Sequence, residues 1–272
     1  MADNRRTTSV SSKPGKTNKL PAPHGSQAAP SPVLNTSKLR ALYAALVKGR
    51  MLQQRFPAGS APGEEAVLVG GVFDLKPEDC IVPSQRSVIA DLVRGEPLAK
   101  VLSMHAEESK YLPSAALQMG LGAGLALAFK MRQQHQIALA LGGEELIGEA
   151  AWEEAMAFAG ANKLPIVYVI SHSGAQDLRA AAQRNQVPGI TVDGADVVAV
   201  HRVLQESIRR ARQGHGPTLV EATLEGKDPV LFMEAYLKTR DLWSDTWRDR
   251  VEEDCKKELD RGLRTAHQAT GA

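Results

Sequence analysis

From residue 136 onward the chain alternates short, continuous apolar runs with longer amphipathic stretches, and few architectures accept that pattern. The runs "IALAL" (137–141) and "IVYVI" (166–170) carry no polar alternation. Strands read this way when helices cover both faces of their sheet, so that neither face meets water. A helix is expected between them at 149–162. A third strand follows near 190–192, then a helix at 197–212 and a fourth strand at 218–221. The expected fold class is α/β, a doubly wound, mostly parallel sheet with helices on both faces. Two final helices, near 230–238 and 245–266, close the chain. Trp243 and Trp247 are expected to anchor the last one to the body or to another subunit.

The first half is less regular. Residues 1–35 hold Pro, Ser, Thr, Ala and Lys with almost no large apolar side chains, so burial cannot offset the entropy of ordering. A disordered tail is expected there, with 36–272 forming a single α/β domain. Leu39, Leu42, Tyr43 and Leu46 recur at helical spacing, which predicts a first helix. "PGEEAVLVGGVF" predicts a second helix opened by Pro62 and Gly63, with Glu64 and Glu65 compensating the dipole at its positive end. "DCIVPSQRSVIADLVRG" predicts a strand at 80–82, a turn at Pro83 and Ser84, and a helix ending near Gly95. The small residues of "PSAALQMGLGAGLALAFKMR" predict a helix buried against its neighbours. Its "GLGAG" is no dinucleotide fingerprint, because no strand precedes it.

Composition excludes several function classes. The 33 basic and 31 acidic residues leave a formal charge of +2, so there is no polyanion signature and no nucleic-acid partner is expected. No apolar stretch reaches the length of a membrane span, and the first residues lack a signal peptide's apolar centre. Cys80 and Cys255 fit no zinc or disulfide spacing, which predicts a reducing, cytoplasmic setting with no membrane partner.

Open parallel sheets bind ligands outside the carboxyl ends of their strands. Two loops meet there: "GGEELIGE" at 142–149 and "SHSG" at 171–174. Gly142 and Gly143 allow close backbone approach, Glu144 and Glu145 offer hard oxygen donors, and a helix opening near Gly148 would aim N–H groups at an anion. The pairing points to a metal-bridged diphosphate, or to two carboxylates that merely cap the next helix. Arg86, just beyond a strand, is placed to fork onto a phosphate or to form a surface ion pair. His172 reads as a solvated or backbone-bonded histidine, or as a ligand. No nucleophile triad can be assigned, and the catalytic residues stay unknown.

The motifs "GEEAV", "DCIVPSQRS", "IALALGGEELIGEAAWEEAMAFAGANKLPIVYVI", "VPGITVDGADVVAV" and "GPTLVEATL" stand in an order and spacing that resembles one family. That family is the α-subunit of the thiamine-diphosphate-dependent decarboxylating component of pyruvate and branched-chain 2-oxo acid dehydrogenase complexes. The resemblance runs from about residue 37 to 266. It implies an oxidoreductase subunit with a thiamine-diphosphate-binding fold and thiamine diphosphate and magnesium as cofactors. It also implies a β-type partner subunit in a hetero-oligomer, whose glutamate activates the cofactor.

The family's motif begins glycine-aspartate-glycine and ends in paired asparagines. Gly143 matches the first glycine, Glu144 the aspartate and Glu145 the second glycine, while His172 and Ser173 match the asparagines. The resemblance makes Glu144 the metal ligand, Ser173 or His172 a second ligand, and Arg86 the diphosphate contact. Every polar ligand position has changed, and the tyrosine before the arginine is Gln85. The family's long histidine- and serine-bearing loop after "VEATL" is absent, and the glycine-rich stretch before "YLPSAAL" is short. Two functions follow: an α-type subunit supplying the diphosphate and magnesium side of a shared site, or a catalytically silent scaffold or regulator that keeps the fold and the subunit interface. A stand-alone binder of a sugar phosphate or nucleotide is a third.

Overall fold

A computed structural model describes residues 34–55, 63–82, 84, 86–108, 113–174 and 176–270. The tail expected over 1–35 lies outside them save for its last two positions, as do Pro62, Pro83 and Gln85. Residues 34–272 cluster as one compact unit.

Five parallel strands, β1 (Cys80–Ile81), β2 (Ala138–Gly142), β3 (Ile166–His172), β4 (Gly189–Asp193) and β5 (Thr218–Thr223), lie in the order β1-β2-β3-β5-β4. Helices α1 (Thr36–Arg55), α2 (Glu65–Val72), α3 (Ser87–Val93), α4 (Leu98–Glu108) and α8 (Val197–Arg212) contribute to the core on one face. Helices α5 (Ala115–Met131), α6 (Ala150–Ala161) and α7 (Leu178–Arg184) fill the other. Helices α9 (Pro229–Lys238) and α10 (Asp245–Thr270) pack on α1. This is the doubly wound α/β architecture that the sequence pattern predicts.

The two-residue period of the strands sorts side chains between the faces. Leu139, Leu141, Val167, Val169 and Val220 point toward α1, α2 and α8. Ala138, Ala140, Ile166, Tyr168 and Ile170 point toward α5 and α6. That alternation decides what stands at the strand ends, since Ser171 falls on the α2 side and His172 on the α7 side.

Several expectations are corrected. Helix α2 has no polar face, because all eight of its residues are buried. Glu64 and Glu65 are each only 1% exposed, so they do more than compensate a dipole. Strand β3 runs to His172, two residues past the expected end, and α7 was not expected at all. Helix α5 buries one side only, leaving Leu117 and Leu121 exposed. Trp243 and Trp247 stack around Tyr43 with ring centroids 5.2 Å away, so they anchor the start of α10 to α1. Both cysteines are free. Among the described residues no helix is long and apolar enough to cross a membrane.

Close packing beneath β3 yields one prediction. A Cβ on Gly160 of α6 would lie 2.2 Å from the Asn185 carbonyl oxygen and 3.1 Å from Val187 Cγ2. Gly160→Ala should therefore destabilise the fold by about 1–3 kcal/mol, the usual cost of overpacking against backbone. Urea unfolding measures it, and a midpoint unchanged from the parent chain contradicts the close approach.

Candidate functional site

The site is built where β1, β2 and β3 end. Gly142 closes β2, and a Cβ there would meet Leu146 Cδ1 at 2.2 Å, so glycine lets the chain fold back over its own next turn. Residues Glu144–Leu146 form one turn of 3-10 helix. Gly148, at φ +84°, then takes the left-handed conformation that turns the chain into α6. Helix α6 thus starts at Ala150, one residue past its expected start, with Glu149 at its N-cap.

The two consecutive glutamates point to different partners. Glu144 reaches across to the end of β3, where its Oε1 accepts from the Ser173 backbone N–H at 2.7 Å and the Ser173 hydroxyl at 2.5 Å. Those bonds, the hydroxyl foremost, hold the Glu144 carboxyl below the usual carboxylate range. Glu145 turns back toward β1. Arg86 Nη1 donates to its Oε1 at 2.5 Å and Nη2 to its Oε2 at 3.2 Å, and the Gly143 N–H reaches Oε1 at 3.1 Å.

Arg86 is held from behind as well. Its Nε lies 3.3 Å from Oε1 of the buried Glu64, and its own N–H donates to Ser84 Oγ at 3.2 Å. Glu64 also accepts from the Ser171 hydroxyl, which the strand alternation points toward α2. Burial alone would lower the Arg86 pKa, but the two carboxylates outweigh it and the net shift is upward.

The structure thus brings Arg86, Gly143, Glu144, Glu145 and Ser173 to one corner. His172 is the exception, and its expected role as a ligand there is corrected. Its ring is buried on the α7 side, with Nε2 3.0 Å from Oε1 of the buried Glu221. Sequence reasoning gave Glu64 a dipole role, put Ser171 in a loop and Glu221 at a strand end, and found the buried partners of none of the three. A signal for Glu64 existed, because the helix it heads offers no polar face to turn toward water.

Does this corner fit magnesium and a diphosphate? Magnesium asks for near-octahedral oxygen ligands at about 2.1 Å. The corner offers one carboxylate and one hydroxyl, already bonded to each other. Among the described residues, no group of three or more His, Cys, Asp or Glu stands together as a metal site. The arginine expected to contact phosphate is instead forked onto Glu145, with Glu64 behind it. A diphosphate would meet a guanidinium already flanked by two carboxylates, with a third, Glu144, on the Ser173 turn. The residues present do not fit magnesium diphosphate.

A cavity of about 580 Å³ lies elsewhere on the same edge, beyond β4 and β5, and includes Arg50, Glu65, Lys227 and Asp228 in its lining. It shares no lining residue with the corner. Size alone gives it no chemistry, and the polar geometry at the ends of β1 to β3 is the better guide to function.

Comparison with known proteins agrees with the architecture. The sequence profile of the dehydrogenase E1 component family matches residues 53–225, more than half of the chain. The chain is 28% identical to the pyruvate dehydrogenase E1 component subunit alpha of Bacillus cereus, over 88% of its own length and 80% of the relative's. It is 28% identical to the corresponding subunit of Bacillus subtilis, over 86% and 79%. The corresponding subunit of Staphylococcus aureus is 26% identical, over 86% and 80%. A parallel sheet with this corner at its carboxyl end, and a profile match across that whole region, lead to one conclusion: the chain belongs to the dehydrogenase E1 component family.

Proposed function

We propose that the chain acts as an α-type subunit of the E1 component of a cytoplasmic 2-oxo acid dehydrogenase, pairing with a β-type subunit in a hetero-oligomer. Within that assembly it supplies fold and subunit contacts rather than the diphosphate side of a thiamine diphosphate site. One observation carries this reading: the Arg86 guanidinium is forked onto Glu145, at the position where the family's motif has glycine. The connection from β5 to α9, residues 224–228, supports it, being too short to carry the family's histidine- and serine-bearing loop.

A second reading keeps its own support. Glu144, in the place of the family's metal-binding aspartate, stands exposed beside Ser173, as it must if the chain supplies the magnesium side. Co-expression with a β-type subunit separates the two readings. The complex is assayed for decarboxylation of pyruvate and of branched-chain 2-oxo acids, with thiamine diphosphate and magnesium present. The expected result is a stable complex with no turnover above the β-type subunit alone. Turnover above that level overturns the silent reading in favour of the second.

A further inference from the structure

We infer that Glu145 is the specificity-determining residue of this corner: its carboxylate occupies, as an internal anion, the donors that Arg86 and the Gly143 N–H would otherwise offer a phosphate. The inference rests on the reading that the corner takes no diphosphate, and it names the side chain responsible.

The donors converging on Glu145 are those a phosphate would use. A guanidinium presents two nearly parallel N–H groups, the fork that matches the oxygens of a carboxylate or phosphate equally well. A backbone N–H from the glycine after the strand adds a third donor. Gly143 is needed for that approach, because a Cβ there would lie 2.1 Å from Arg86 Nη2 and 2.8 Å from Glu145 Oε2. The glycine thus keeps open a cradle that Glu145 then fills from within the chain.

The site beneath does not depend on Glu145 for its shape. The Arg86 guanidinium also bonds the buried Glu64 through Nε, and its backbone N–H bonds Ser84 Oγ, contacts that do not involve Glu145. Ser171 and Gly142 fix Glu64 in turn, the serine hydroxyl donating to the carboxylate and lying 3.2 Å from the glycine carbonyl oxygen. Truncating Glu145 leaves an arginine already aimed at the corner, its fork unoccupied. Glu145 is the more exposed end of the pair, its side chain 40% exposed against 13% for Arg86. Its removal therefore opens the site toward solvent without excavating the core.

The glutamate excludes polyphosphates in two ways. It fills the fork, and it places a negative charge where the ligand's own charge would lie, so phosphate oxygens must displace a tethered carboxylate and approach a second one on Glu144. A tethered competitor acts at high effective concentration, since it is never lost to solution.

The test uses the full chain and isothermal titration with inorganic pyrophosphate, with and without magnesium, on the parent, Glu145→Ala and Glu145→Gln. Both variants should bind pyrophosphate about tenfold or more tighter than the parent, with alanine the stronger. Adding Arg86→Gln to Glu145→Ala should abolish the gain. Equal affinity in parent and Glu145→Ala overturns the inference. So does the absence of binding by both Glu145 variants when their circular dichroism and melting match the parent. Should Glu145→Ala fail to fold, Glu145→Gln decides the matter by the same comparison. These outcomes are separable from the subunit assay, because a silent complex leaves the functional reading standing even where Glu145→Ala gains no affinity.

Discussion

Replacing Arg50 by alanine should destabilise the chain by about 3–5 kcal/mol, the range seen when one partner of a buried ion pair is removed. Arg50 leaves α1 and donates from Nε to Glu65 at the head of α2, while Nη1 and Nη2 fork onto Asp228 at 2.9 and 3.1 Å. Glu65 is 1% exposed, and among the described residues its Oε2 has no hydrogen-bond partner even with Arg50 present. Without the guanidinium a carboxylate that is 1% exposed is left with no cation beside it. Asp228 suffers less, because it is part-exposed and still caps α9 through the N–H groups of Val230 and Leu231. The double substitution Arg50→Met with Glu65→Gln should recover most of the loss, since it removes the buried charge along with its partner. Urea unfolding of the two variants gives the answer. An Arg50→Ala chain within about 1 kcal/mol of the parent shows that Glu65 is solvated, and the account of α2 fails.

Those two glutamates also show where sequence reading stops. Acidic residues at the start of a helix are ordinarily dipole compensation on a wet surface. Helix α2 is apolar all round, and such a helix is buried from its first residue. "EEAVLVGG" therefore signalled buried, paired carboxylates, although nothing in it could name Arg50, Arg86 or Ser171 as partners, which lie 15 or more positions away. The strands were legible for the converse reason: a continuous apolar run reports burial on two faces with no knowledge of neighbours. Strand order was not, because β5 enters the sheet between β3 and β4, and burial on two faces does not say which strand lies beside which.

His172 was misplaced by two residues of strand. With the strand taken to end at Ile170, a histidine two positions on belongs to a turn. With β3 continuing through the pairing of His172 with Thr223, the same residue keeps the facing of Tyr168 and Ile170 and points inward. Helix α7 escaped notice because it is seven residues long and buries only Leu178 and Ala182, too few for a visible period. The corner itself was legible through its glycines and the family resemblance. Which glutamate faces which partner was not, since adjacent residues at the start of a 3-10 turn diverge and only the fold decides which one meets Arg86.

Glu221→Leu should cost about 3–5 kcal/mol, with a local signature as well as a global one. The Glu221 carboxylate is 2% exposed on β5 and gathers three donors: His172 Nε2 at 3.0 Å, the Leu178 N–H at 3.0 Å and the Thr191 hydroxyl at 2.8 Å. These come from β3, α7 and β4, so one side chain ties the far end of the sheet to the helix that follows the corner. Leucine matches much of the volume and supplies no acceptor, leaving the buried donors on His172 and Leu178 unsatisfied, while the exposed Thr191 hydroxyl can turn to water. Hydrogen exchange at Leu178 should accelerate more than exchange in β2, because α7 has little other burial to hold it. Glu221→Gln keeps one acceptor oxygen and should retain most of the Leu178 protection while losing less stability. If both variants unfold at the same denaturant concentration as the parent, the His172 ring is held by packing alone. Its inward turn away from Glu144 then owes nothing to this carboxylate.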